Sequence, residues 1–185
     1  MNQIYRKKLY IIIEYDQDKE FFDTIIKPLI QKRYKIVKSW KYSRKDKDSV
    51  NKRIASIKED GDDYIFVTDM EKIQCIPGKK QERMTEFNSI DEKSRIMIVI
   101  RKIESWYTAG LSDDKYKELG FDPPVDTSKP GKGLFRKLLI KHRLKSKLVS
   151  EIDFMKEILK DFDIEMAKQR NTSFRYFIEK YCLMA

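Results

Sequence analysis

The chain has 185 residues, enough for one domain with a full-sized core. Its 40 Lys and Arg outweigh 30 Asp and Glu, and the resulting charge of +10 favours a polyanionic partner, nucleic acid first. The single histidine, His142, stands in a Lys/Arg run, and Cys75 and Cys182 lack paired spacing; this excludes Ser-His-Asp and Cys-His catalysis, His-rich zinc sites and a disulfide framework. Any catalysis is therefore expected to rest on carboxylates with a hard cation.

Tyr10 to Ile13 reads as a buried strand that stops at Glu14, with Asp16 and Asp18 close behind. An amphipathic helix follows, its apolar side marked by Phe21, Phe22, Ile25, Ile26, Leu29 and Ile30, and Pro28 is expected to kink it or shift its boundaries. "YKIVKSWKY" alternates like a second strand, and Val50, Ile54 and Ile57 then fall on one face of a helix that "DGDD" ends. "YIFVTD" is a third strand, again closed by an acid, and "RIMIVI" a fourth, followed by Glu104. Trp106 and Tyr107 read as core on a short helix beyond it.

From Leu111 the character changes. "LGFDPPVDTSKPGKG" holds three of the five prolines and three of the six glycines, the composition of a connection. A helical tail follows, with Leu134, Phe135, Leu138, Leu139, Ile152, Met155, Ile158 and Leu159 as buried faces. No apolar stretch approaches the length of a membrane span and the N-terminus carries no signal-peptide pattern, so the expected location is the cytoplasm, without membrane contact.

Strands alternating with helices predict an α/β fold with a mainly parallel sheet flanked by helices. The expected division is an α/β core over 1–111, with 112–185 a loop and helical extension packed on the same domain. In such sheets function gathers at the carboxyl ends of the strands, where Glu14, Asp69 with Glu71, and Glu104 stand. Clustered carboxylates repel unless a cation compensates, and magnesium or manganese takes a few carboxylates while keeping several waters. Three of the acids also have a plainer use: Asp18 as a helix cap, Glu71 as a solvated acid at a helix start, Glu104 as a complement to a helix dipole; Glu14 and Asp69 instead end apolar strand runs where turn residues are usual.

"IIIEYDQDKEFF", "YIFVTDMEK", "IVIRKIESWYTAGL" and "NTSFRYF" together resemble the Toprim fold, in particular the OLD-like nucleases and small standalone prokaryotic relatives. The resemblance covers most of the chain and implies a Toprim-like, Rossmann-like sheet. It implies a Mg2+ or Mn2+ site with Glu14, Asp69 and Glu71 as catalytic acids and Asp18 and Glu104 as further ligands. Tyr15 stands where the family has glycine, and Glu71 where it has a second aspartate. The implied activity is metal-dependent phosphodiester hydrolysis of DNA or RNA in a defence or mobile-element system. A separate ATPase is the implied partner, since the chain has no P-loop. The rival expectation is a non-catalytic nucleic-acid-binding or ATPase-partner subunit on the same fold, and a primase-like nucleotidyl transferase shares the acids.

The expected nucleic-acid face is the acid-free run from Lys129 to Lys147, with Lys132, Arg136, Lys137, Lys141, Arg143, Lys145 and Lys147 as contacts. Lys72, next to Glu71, or Lys102 is the expected stabiliser of transition-state charge. No zinc finger, helix-turn-helix or RNP pattern is present, which points to recognition of backbone or shape.

Overall fold

A computed structural model describes residues 7–70, 75–129, 133–146 and 150–183 of the chain. Two compact units divide it, residues 1–99 and 100–185.

The first unit is an α/β layer structure around four parallel strands, as the alternating sequence pattern predicts. They are β1 (Lys8–Ile13), β2 (Ile36–Lys41), β3 (Asp63–Asp69) and β4 (Ile96–Val99), in the order β2-β1-β3-β4. β1 pairs with β2 on one side and β3 on the other, with Ile12 opposite both Trp40 and Phe66. The chain steps from β1 outward to β2 and then returns across β1 to β3. With right-handed crossovers, the helices of these two connections fall on opposite faces of the sheet.

After β1 the chain forms α1 (Asp16–Phe21), a π-helical turn over Phe22–Ile26, and α2 (Lys27–Ile30). The π turn explains how Pro28 is accommodated. The Lys27 N–H bonds to the Phe22 carbonyl, one residue further back than α-helical bonding, immediately before the residue that has no N–H to give. Of the predicted apolar positions, Phe21, Phe22, Ile25, Ile26 and Ile30 are buried and Leu29 is half-buried.

α3 (Lys47–Glu59) starts at Asp46, whose Oδ1 accepts from the Ser49 N–H at 2.7 Å, and buries Val50, Ile54 and Ile57. These three pack with Tyr10 and Ile12 of β1, Tyr64 and Phe66 of β3, and Ile96 and Ile98 around β4. Tyr42, Phe87 and Ile90 complete this core. Strand alternation assigns Ile11, Ile13, Ile65 and Val67 to the opposite face, and they are as deeply buried.

One element of this unit has no apolar periodicity. α4 (Ile76–Glu86) begins with Pro77 in its first turn, and its buried positions are Lys79 and Arg83. Burying two cations instead of aliphatic residues hides the helix from a hydrophobic pattern.

In the second unit the described residues form helices only: α5 (Glu104–Ala109), α6 (Asp113–Glu118), α7 (Leu134–Lys145), α8 (Glu151–Lys160), α9 (Ile164–Arg170) and α10 (Thr172–Phe177), the last continuing as a π turn. The Pro/Gly-rich stretch after Leu119 carries no element among its described residues. Leu138, Leu139, Met155, Ile158 and Leu159 are buried as predicted; Leu134 and Phe135 are half-buried, Ile152 is 46 % exposed, and Phe154 takes the inward position instead. Among the described residues no helix is long and apolar enough to cross a membrane.

His142 is buried in α7 against the ring of Phe154, with centroids 4.8 Å apart, and its Nε2 lies 3.1 Å from Glu157 Oε2 without hydrogen-bond alignment. The chain's only imidazole thus stands in a helix-packing contact of the second unit.

Candidate metal and phosphate site

The sheet order reverses between β1 and β3, and Glu14 and Asp69 stand at the carboxyl ends of these two neighbours. Such a switch point opens a crevice above the sheet, the usual ligand position in open parallel sheets. Here the strands end in carboxylates because the polar edge begins directly after buried Ile13 and Thr68.

Glu14 and Asp69 approach this edge from different faces. Glu14 lies two residues beyond Ile12 and so shares the α3 and α4 face, as does Thr68, two residues beyond Phe66. Asp69, one residue further, turns to the other face.

The cation that a carboxylate at this strand end calls for is partly supplied by the protein. Arg83, 8 % exposed on α4, donates from Nε to Thr68 Oγ1 at 3.1 Å and pairs through Nη1 with Glu86. Burial opposes its charge, and the neighbouring Tyr42, Glu86 and Glu14 outweigh that burial and hold its pKa above the ordinary arginine value. Tyr42, directly after β2, donates its hydroxyl to Glu14 Oε2 at 3.2 Å. Burial first, and then the charge of Glu14, push the Tyr42 phenol far above the ordinary tyrosine range, so it remains a donor. Its ring is stacked on Phe66 at 5.0 Å and set edge-on to Phe87 at 5.8 Å. Glu14 and Arg83 also line an open groove with Lys47, Gln81, Glu82 and Glu86.

Asp18 is buried, and its Oδ2 accepts the backbone N–H groups of Glu14 at 3.1 Å and Tyr15 at 2.7 Å. It closes the turn between β1 and α1 and fixes the backbone that carries Glu14. Tyr15 has φ −120°, extended backbone that any residue adopts, so the turn makes no demand for glycine here.

Glu71 and Lys72 lie outside the described residues, as do Lys132 and Lys147. Glu104 opens α5 in the second unit, half-buried in the first turn, where an acid complements the helix dipole. Lys102 is exposed near it. On α7, Arg136, Lys137, Lys141, Arg143 and Lys145 are all exposed, with no acid along the helix, and Lys145 bonds to the Glu118 carbonyl. Trp106 and Tyr107 are fully buried.

The donor set offered by Glu14 and Asp69 is hard oxygen, suited to magnesium or manganese and unsuited to soft metals. Among the described residues no group of three or more acids, histidines or cysteines is close enough to hold a metal ion unaided. Two carboxylates with water and substrate phosphate oxygens are a normal magnesium environment, and in that sense the residues fit. Neither Tyr42 nor Arg83 stands out in the sequence as a site residue. An arginine on an unrecognised helix and a tyrosine one position past a strand give no local signal.

Comparison with known proteins gave no match: no protein family, no curated protein and no solved structure is similar enough to the chain to count.

Proposed function

We propose that the chain is a Toprim-like, magnesium- or manganese-dependent phosphodiesterase acting on nucleic acid, with its centre at the carboxyl ends of β1 and β3. The observation that carries this reading is that Glu14 and Asp69 close adjacent parallel strands at the switch point of the sheet. In this reading they hold the metal at the sheet edge, one from each face, and Glu71 joins Asp69 as the sequence spacing suggests. A metal bound there supplies an acidified water and a clamp on phosphoryl oxygens. Tyr42 and Asp18 hold Glu14 by side chain and backbone, and the Arg83 guanidinium faces the charge of a phosphate in the groove. The exposed cations of α7 contact the nucleic-acid backbone, independent of base sequence.

A second reading, a binding subunit without catalysis, is favoured by Arg83 and Tyr42 already compensating Glu14. Cleavage of a DNA and RNA panel with added magnesium, set against the same panel in chelator, separates the two. Products that require the metal support the enzyme; retained binding without products supports the subunit.

A further inference from the structure

Resting on the phosphodiesterase reading, we infer that Tyr42 is a positioning residue for cation capture by Glu14. Its phenol fixes one carboxylate oxygen and leaves the other for the ion.

Four observations carry this. The Tyr42 hydroxyl donates to Glu14 Oε2 at 3.2 Å, and Oε1 has no hydrogen-bond partner among the described residues. The Tyr42 backbone N–H donates to the Ile13 carbonyl at 2.9 Å, which registers the residue against the strand that carries Glu14. Phe66 and Phe87 hold the ring from its face and its edge, so the phenol cannot swing away without leaving the core. On the backbone side, Asp18 accepts the Glu14 N–H at 3.1 Å. Glu14 is therefore held at its backbone N–H and at one carboxylate oxygen before any cation arrives. A freely rotating glutamate loses rotamer freedom on binding an ion; one already held loses less, which is the advantage of a preorganised ligand.

The geometry also separates Tyr42 from a merely structural tyrosine. Tyr116 directs its hydroxyl to the Thr108 carbonyl at 2.7 Å, and Tyr64 donates at 3.2 Å to Asp91, a carboxylate already paired with Lys58. Tyr42 directs its hydroxyl to a half-buried carboxylate lining an open groove.

The test is Mn2+ binding by the full chain, followed by electron paramagnetic resonance and by the 13Cζ tyrosine NMR signals, with Tyr42→Phe identifying the Tyr42 signal. The wild type is expected to bind Mn2+ with the Tyr42 signal selectively broadened, and Glu14→Gln to abolish both effects. Tyr42→Phe keeps the ring packing and is expected to weaken Mn2+ affinity about threefold to tenfold, the range of one hydrogen bond. Thermal unfolding checks that each variant is folded, and Phe87→Leu, which loosens the ring but keeps the phenol, is expected to weaken affinity less than Tyr42→Phe. Wild-type binding with unchanged affinity in Tyr42→Phe, or with a Tyr42 signal untouched by Mn2+, overturns the inference and leaves the metal reading standing. A folded wild type that binds no Mn2+ overturns the reading beneath it.

Discussion

The indole Nε1 of Trp106 donates to the Ser173 hydroxyl at 2.8 Å in a fully buried contact. Ser173 Oγ also accepts the Ile100 N–H at 3.2 Å and donates to Asn171 Oδ1 at 2.8 Å, while Asn171 Oδ1 accepts the Phe174 N–H and caps α10. The "IESW" and "NTSF" segments, far apart in sequence, are thereby one polar node inside the second unit. Removing the hydroxyl leaves buried donors without an acceptor, a loss of about 1–3 kcal/mol. Ser173→Ala is expected to show that loss in urea denaturation followed by Trp106 fluorescence, with Trp40→Phe as the background. A change below about 0.5 kcal/mol, the size of an ordinary surface substitution, would contradict the node.

Asp18 has a sharp signature as a turn-closing residue. Asp18→Ala is expected to cost about 1 kcal/mol or somewhat more, the range for losing a cap. Asp18→Asn retains an acceptor oxygen for the Glu14 and Tyr15 N–H groups and is expected to keep most of that stability and all of the Mn2+ affinity. A large affinity loss in Asp18→Asn would make Asp18 a metal ligand, as the family resemblance implies.

Asp91 accepts from Lys58 at 2.7 Å and from Tyr64 at 3.2 Å, and the Lys58 hydrogen bond, partly offset by desolvation, holds its carboxyl below the ordinary value of 3.8. A carboxyl depressed in the folded state contributes stability above its unfolded pKa and loses it as pH falls through the folded one. Asp91→Asn is therefore expected to be less stable than the wild type at pH 6, and the difference to shrink below pH 3.8 and vanish only once the pH has fallen through the depressed folded-state value. Chemical denaturation at several pH values measures this. A difference that persists at the acid end would place the effect in packing.

The basic face of α7 predicts a salt signature. If Arg136, Lys137 and Lys141 meet phosphates, replacing them with alanine lowers nucleic-acid affinity and flattens the dependence of log affinity on log salt by about 0.9 for each duplex phosphate that is no longer neutralised. Fluorescence anisotropy across a salt series measures the slope. An unchanged slope would remove α7 from the interface.

Three strands were legible because each is a buried apolar run with a clear end: Tyr10 to Ile13, "YIFVTD" and "RIMIVI" all form strands, shorter or longer by one or two residues, whereas β2, mostly half-buried, showed only as alternation. Parallel pairing followed from the intervening helices. α4 was not legible, since its inward positions are Lys79 and Arg83, cations paired with Glu82 and Glu86 on the same helix, Arg83 also donating to Thr68 of β3. The site was legible in part. Glu14 and Asp69 announce themselves by ending apolar runs, whereas Arg83 and Tyr42 come beside Glu14 only once β2, β3 and α4 are assembled. Strand alternation also sets Glu14 and Asp69 on opposite faces, which emerges only when the register of β1 on β3 is known.

If Glu14 and Asp69 serve one metal-dependent reaction, neither carboxylate can be spared. The most direct test is cleavage of single- and double-stranded DNA and RNA in magnesium or manganese by the wild type, Glu14→Gln and Asp69→Asn, each confirmed folded by circular dichroism and thermal unfolding. The predicted result is metal-dependent cleavage by the wild type and its loss, by about a hundredfold or more, in both variants. Equal cleavage by all three proteins, or none by a folded wild type on any substrate, would contradict it.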